Sequence, residues 1–275
     1  MNKKVSLVLR WVFLIVVLVA LYAPIALIVV YSFSSEKNIG SANGFGQFTF
    51  SLYSSLFSNR QIMSATLNTL IIGLVSATLA TAVGTLTAVG LHYMKRGKKT
   101  VNFVSQITVV NAEIVTAVGF FLLSIFLRDV LKLPVQKGVG WLILAHTVMT
   151  TPYVILTVSP RLSQLNPNLY EAGLDLGASP TKALFSVIMP EILPGIFSGF
   201  MLAITLSLDD YIVSTFTRPP TFDTISTYVF DAYAKGGKGS SVPALRALST
   251  IIFVVMLIVL LVQNILAGKK KGGNK

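Results

Sequence analysis

Apolar residues run along this chain in long blocks, separated by short polar stretches. A helix needs about 20 mostly apolar residues to cross the hydrocarbon core of a bilayer. Runs of that kind cover Trp11 to Phe33, Leu67 to Met94, Phe103 to Leu127, Val139 to Val158, Ile192 to Phe216 and Ala247 to Leu266. The pattern predicts six spanning helices in a single all-α transmembrane domain over 1–275, with no room for a separate soluble domain. The first run follows a basic start and could be read as a signal peptide. Its 23 residues exceed the roughly 7–15 of a signal h-region, so it is read as an uncleaved anchor.

Composition supports this picture. The chain of 275 residues is 53% hydrophobic and 12% charged, about half the charge of an ordinary soluble domain, which excludes a fully solvated surface. The formal charge of +12 would suggest nucleic acid in a soluble protein. In so apolar a chain it points instead to Lys and Arg flanking the membrane, with no nucleic-acid partner. Both termini are basic and carry no acid (Lys3, Lys4, Arg10; Lys269, Lys270, Lys271, Lys275), so both are expected in the cytoplasm, with Lys95 to Lys99 on the same side. With no cysteine there is neither a disulfide nor a thiolate site, and no cofactor or metal is expected.

The connection between the fourth and fifth runs, 159–191, is long for a membrane bundle and carries ordering signals. Asn166-Pro167 predicts the start of a short helix to about Leu176, and Gly177 suits its end. Ser179-Pro180 repeats the start signal for a second helix to about Ile188, after which Pro190 and Pro194 punctuate the entry to the fifth span. Leu169, Ala172, Gly173 and Leu176 share a face suited to docking on another protein. On the residues alone, packing back onto the chain's own bundle is an equal alternative.

Glu171-Ala172-Gly173, Gly177-Ala178, Phe185, Ile188 and Met189-Pro190 resemble the E-A-A signature of ABC importer permeases, with Gly173 in place of the second Ala and Met189 in place of Leu. Along nearly its whole length the chain is similar to permeases of spermidine/putrescine importers. Shared features are Tyr22-Ala23-Pro24, Phe48-Thr49-Phe50, His146-Thr147 with Pro152, and Ser207-Leu208-Asp209-Asp210. The resemblance implies a type I importer permease fold. It also implies that Glu171, Ala172, Gly173, Gly177, Ala178 and Pro190 couple to a separate ATP-binding subunit, expected as a dimer. Further implied partners are a second permease and an extracytoplasmic polyamine-binding protein, in the cell membrane. The chain has no G-x-x-x-x-G-K-[ST] of its own: His92 and Ala232 stand where Gly97-Lys98 and Gly237-Lys238 would need the first Gly. It is therefore expected to transport and not to catalyse.

Glu113, Asp209 and Asp210 are the acids within predicted spans. A charge at the bilayer centre costs at least ~2.5–3.5 kcal/mol on insertion scales, so such residues face an interior or a watery path. Glu113 falls about 15 Å along its span and Asp209 about 25 Å along its own. These carboxylates are candidates to pair with the ammonium groups of a polyamine, helped by Tyr211, Phe120 or Phe121 through cation–π contact. Structural helix-to-helix bonding is the alternative for all three, and neighbouring Asp residues point about 100° apart. A small-residue stripe at Gly73, Ala77, Ala80, Gly84 and Ala88 fits either a second permease or intrachain packing. His146 is expected as a hydrogen-bonded helix contact. The loops 34–63 and 217–244 could meet an external binding protein. The alternative within the class is an importer permease for another solute, such as an iron-chelate, sulfate or a compatible solute; an anion path would need Lys or Arg at depth, and none lies there. A standalone secondary transporter or channel is the reading from another class, but no inverted repeat is visible. A membrane enzyme has neither a zinc motif nor a G-x-S-x-G elbow to support it.

Overall fold

The computed structural model describes residues 3–36, 44–94, 96–135, 137–234 and 242–272. Lys95, Gly236, Gly237, Lys238 and Lys275 lie outside them. Among the described residues the secondary structure is helical, apart from one isolated antiparallel bridge between Ser34 and Phe48. The helices are α1 (Lys3–Tyr31), α2 (Ser51–Ser58), α3 (Arg60–Tyr93), α4 (Lys98–Val110), α5 (Glu113–Ile125), α6 (Val139–Gln164), α7 (Leu169–Asp175), α8 (Pro180–Ala183), α9 (Met189–Asp209), α10 (Ile212–Thr217), α11 (Ile225–Ala234) and α12 (Val242–Gly272). They form two compact units, 1–63 with 229–275, and 64–228.

In the first unit α1 is apolar on every side and leaves its span unburied, as a lipid-facing helix does. After it, Phe33 stacks on Phe48 at 5.4 Å between ring centroids, and Phe50 and Tyr53 close the cluster. The Arg246 guanidinium of α12 donates to the carbonyls of Glu36 (2.8 Å) and Tyr31 (3.3 Å), tying the end of α1 to α12.

The second unit carries the main core. Its buried cluster joins Ala77, Ala80 and Ala88 of α3, Val154 and Val158 of α6, and Ile192 and Ala203 of α9, with Ile188 just ahead of α9. Small residues set the spacing. A Cβ on Gly84 would sit 2.8 Å from Val154 Cβ and 3.1 Å from the Thr151 carbonyl, and one on Gly73 2.9 Å from Leu208 Cδ2. The stripe on α3 is thus consumed by packing within the chain. On α9, Gly195, Gly199, Ala203 and Ser207 recur every fourth residue and are all buried. Gly195 and Gly199 let α9 lie against Thr157, Arg161 and Val154 of α6.

Several expected boundaries move. Among the described residues four helices are long and apolar enough to span a membrane without a break: 10–31, 60–93, 139–164 and 180–209; within α12, Pro243–Val255 is a shorter apolar stretch. The predicted third span is divided at Asn111-Ala112 into α4 and α5. The fifth begins not at Ile192 but at Pro180, because α8 continues through a π turn (Leu184–Ile188) into α9. In that turn the Met189 amide donates to the carbonyl five residues back, shifting the bonding just ahead of Pro190, which has no amide to give. The prolines therefore lie within the helix and do not punctuate it. The fifth span also stops at Asp209 rather than Phe216; Asp210 is extended and α10 follows. The fourth helix runs on to Gln164, through Pro152 and Pro160, and shortens the connection expected to start at Ser159.

Candidate functional site

Two sets of candidate residues sit at opposite ends of one helix. The stretch from Pro180 to Asp209 is 30 residues long, about 45 Å at 1.5 Å per residue. The E-A-A residues precede its start, and the Asp pair closes its end.

At the first end, α7 begins after Asn168, not Asn166. The Asn166 side chain instead accepts from the Asn168 amide (3.0 Å), so Asn166-Pro167 makes the turn before the helix. Gly177 closes α7 at φ +83°, a conformation that glycine reaches without a Cβ clash, and the Ala178 amide bonds back to the Gly173 carbonyl (3.2 Å). Ser179 caps α8 as expected, its hydroxyl accepting from the Lys182 amide at 3.3 Å. Ser179→Ala is expected to cost about 1 kcal/mol of local stability. Hydrogen exchange of the Lys182 amide, faster by roughly fivefold, would register it.

The face expected to dock is split. Leu169 packs inward on the core and Gly173 is buried, 3.3 Å from Ala183 by its would-be Cβ. Tyr170 packs against Tyr93 at the end of α3, ring centroids 5.2 Å apart and the planes tilted by 47°. Ala172, Glu171, Asp175 and Leu176 point out, and Leu176 is 90% exposed. An i, i+4 pair turns inward while the i+3 partners turn out, because α7 is only seven residues long and lies flat on its neighbours. Pro190 and Phe185 are exposed, and Ala178 is half-buried.

At the other end the two aspartates separate. Asp209 is the last residue of α9 and is exposed, while Asp210 is buried. The Asp210 carboxylate accepts from the amides of Val213 (3.1 Å) and Ser214 (2.7 Å) and so caps α10. Its Oδ2 is 3.5 Å from His146 Nε2. The fully buried His146 ring bridges two helices, with Nδ1 2.7 Å from Ser207 Oγ of α9 and Nε2 3.0 Å from Ser214 Oγ of α10. Ser207 Oγ is also 3.1 Å from Ser76 Oγ of α3. A carboxylate only accepts, so the geometry puts the imidazole proton on Nε2, facing Ser214 and Asp210, and leaves Nδ1 to accept from Ser207. The Ser226 hydroxyl donates to the Asp210 carbonyl (2.6 Å), and Thr69 of α3 accepts from the Ile225 amide (2.8 Å). Asn68 donates to the Asp223 carbonyl (2.9 Å), so it anchors a loop and not another helix.

Glu113 opens α5 directly after the break in the third span, and it is exposed. The amide end of a helix favours an anion there. Helices α5 and α10 pack together: Phe121 meets Phe216 at 6.2 Å, and Ala117 and Val213 share a core cluster. Glu113 and Asp209 thus stand at the breaks that precede two packed helices. One aromatic candidate already holds a cation, since Lys137 Nζ lies 4.1 Å over the Phe121 ring. Burial, then the Arg128 charge, push that ammonium below the ordinary lysine range. No cluster of metal ligands occurs among the described residues.

The serines around His146 and the capping role of Asp210 were not read from the sequence. The signal for the cap was present: an Asp followed three residues later by the first amides of an apolar stretch. The spacing Gly195-x-x-x-Gly199-x-x-x-Ala203 was likewise legible.

Residues 80–271 match the family described as binding-protein-dependent transport system inner membrane component. The chain is 34% identical over 262 residues to the spermidine/putrescine transport system permease protein PotC of Haemophilus influenzae, covering 95% of this chain and 97% of that one. It is 34% identical over 245 residues to the putrescine transport system permease protein PotI of Escherichia coli K12, covering 88% and 85%. Among solved structures, a chain of a bacterial ABC transporter that imports the acidic polysaccharide alginate superposes with a TM-score of 0.75 at 15% identity, covering 96% of this chain and 98% of that one. At that identity the likeness speaks for the fold.

Proposed function

This chain belongs to the family of binding-protein-dependent transport system inner membrane components, and we propose that within it the chain forms, with a second permease, the membrane path by which polyamines enter the cell. It is a multi-pass membrane permease of the ABC importer type and carries out no covalent chemistry of its own. Spermidine or putrescine is the cargo by the chain's likeness to PotC and PotI. The carboxylates at the helix breaks suit that cargo, since ammonium groups are attracted both to a carboxylate and to the carbonyl end of a helix such as α9. Both termini lie in the cytoplasm in this reading, following the basic residues at each end.

The observation that carries the mechanism is the uninterrupted helix from Pro180 to Asp209. An ATPase dimer grips the exposed side of α7. Its closure on ATP moves α7, and Tyr170, Leu169 and Gly173 transmit that displacement into α3, α6 and the long helix. Its far end, at Asp209, shifts between inward- and outward-open states. ATP drives this only by favouring one of those states over the other. Sparse carboxylates at Glu113 and Asp209 hold a cation without caging it, as conduction demands. An extracytoplasmic polyamine-binding protein delivers the cargo, and the aromatic cluster at Phe33, Phe48 and Phe50 offers it a contact surface.

Uptake of labelled spermidine and putrescine into vesicles holding the whole assembly tests this reading. Uptake must require ATP, the ATPase and the binding protein. Asp209→Asn is expected to lower it about fivefold, the loss of roughly 1 kcal/mol of charge-assisted bonding, with the assembly recovered intact. Polyamine uptake that proceeds without ATP, or an assembly that takes up a different solute and not polyamines, would refute the reading.

A further inference from the structure

We propose that His146 is a positioning residue for the translocation path: it pins the break between α9 and α10 so that Asp209 faces outward and Asp210 inward. The inference rests on the reading of Asp209 as a path residue.

A helix that stops inside a membrane protein leaves its last carbonyls and the next helix's first amides without partners. Here the break is held from several sides. Asp210 satisfies two amides of α10, and Ser226 satisfies the Asp210 carbonyl. Those bonds order the chain after the break but do not fix it to the rest of the bundle. His146 supplies that link. It projects from α6, the helix against which α9 is closely packed through Gly195 and Gly199, and reaches one residue on each side of the gap, Ser207 and Ser214. Ser76 extends the link to α3. The groups facing the ring are therefore Ser207 on one side, itself bonded to Ser76, and Ser214 and Asp210 on the other.

The consequence is directional. With Ser207 and Ser214 both held to one ring, the chain between them has little freedom to rotate. Asp210 stays turned toward the ring and the α10 amides, and Asp209 is left on the opposite side. Loosening either bond lets the two carboxylates exchange surroundings. The function of His146 is thus to choose which aspartate the cargo meets, not to meet the cargo.

This chain has no native cysteine, so a thiol placed at 209 is the only one it contributes, and labelling is read on this subunit. In the complete assembly, Asp209→Cys is introduced and its reaction with a cationic methanethiosulfonate reagent is timed, with and without changes at the ring. The paired variants Ser207→Ala and Ser214→Ala, which empty almost no volume, are expected to slow labelling at 209 at least threefold. In the background with native Asp209 they lower polyamine uptake about threefold, through KM more than through maximal rate. His146→Ala lowers uptake about tenfold, and His146→Gln, which retains a donor and an acceptor, restores at least half of that loss. Parental labelling and uptake in both serine variants would overturn the proposal whatever the stability of the His146 variants. If Asp209→Asn also leaves uptake unchanged, the path reading itself falls. If Asp209→Asn is defective while the serine variants are normal, only the positioning role falls.

Discussion

Leu176→Asp is expected to strip the ATPase from the permease and abolish ATP-driven uptake. Leu176 is 90% exposed on an ordered turn, beside Ala172 and just ahead of a left-handed glycine. A leucine held that far from its own core is a candidate anchor for a pocket on another protein. Removing a central anchor typically costs 2 kcal/mol or more, about a 30-fold weaker grip, and placing a carboxylate in the emptied pocket adds a desolvation cost. The remainder of the permease should be indifferent, because Leu176 touches none of the core that holds α7 in place. Recovery of the ATPase with a tagged permease should therefore fall by at least 30-fold, while the permease accumulates normally. Leu176→Met keeps volume and apolarity and should retain most of the interaction. Full recovery of ATPase with the Asp variant would show that the motor grips another surface.

Gly199→Leu should strongly destabilise the second unit. The position lies in the tightest approach of α9 to α6: a Cβ there would stand 2.6 Å from Thr157 Oγ1, 3.1 Å from Val154 Cγ1 and 3.3 Å from Val154 Cα. The last of these is backbone and cannot swing aside. The helices would have to separate, and the separation would propagate along the stripe to Gly195, Ala203 and Ser207, opening the contact with His146. Overpacking of a dense core costs about 1–3 kcal/mol and occasionally more. With a bulky side chain against backbone, the upper end applies, roughly a 100-fold shift toward the unfolded chain. The measurement is the yield of monodisperse permease from membranes. Gly119→Ala is the matched control: nothing lies within 4 Å of its would-be Cβ, and an alanine in a helix is favoured over glycine by up to ~1 kcal/mol. A normal yield for Gly199→Leu would contradict the close approach.

Much of this architecture was legible from the chain because a bilayer imposes a simple rule on sequence. Apolar runs of spanning length must be helical, since no water is present to satisfy an open backbone. The runs around Trp11, Leu67, Val139 and Ile192 could therefore be located without any knowledge of their neighbours. The Gly177 turn and the Ser179-Pro180 cap were legible for a different reason: both act through bonds and dihedrals within a few residues of themselves. Proline is a poorer guide to where a helix ends. Pro190 and Pro194 lie within one continuous helix: a π turn shifts the bonding just ahead of Pro190, and close packing against α6 through Gly195 and Gly199 holds the helix through Pro194.

By itself, then, the sequence determined what short-range chemistry and solvent exclusion dictate: helices, caps, a membrane, a loop suited to docking, and three acids out of place in it. The tertiary structure alone decided where helices stop and what each acid does. Hydropathy carries straight through Asn111 and Asp210, yet both predicted spans break there. A break becomes affordable only when partners distant in the chain satisfy it. His146 lies 61 residues from Ser207 and 68 from Ser214, and Ser76 lies 131 from Ser207. Asp209 and Asp210 are equivalent in any local pattern; one is exposed and the other buried because α6 and α10 converge on only one of them.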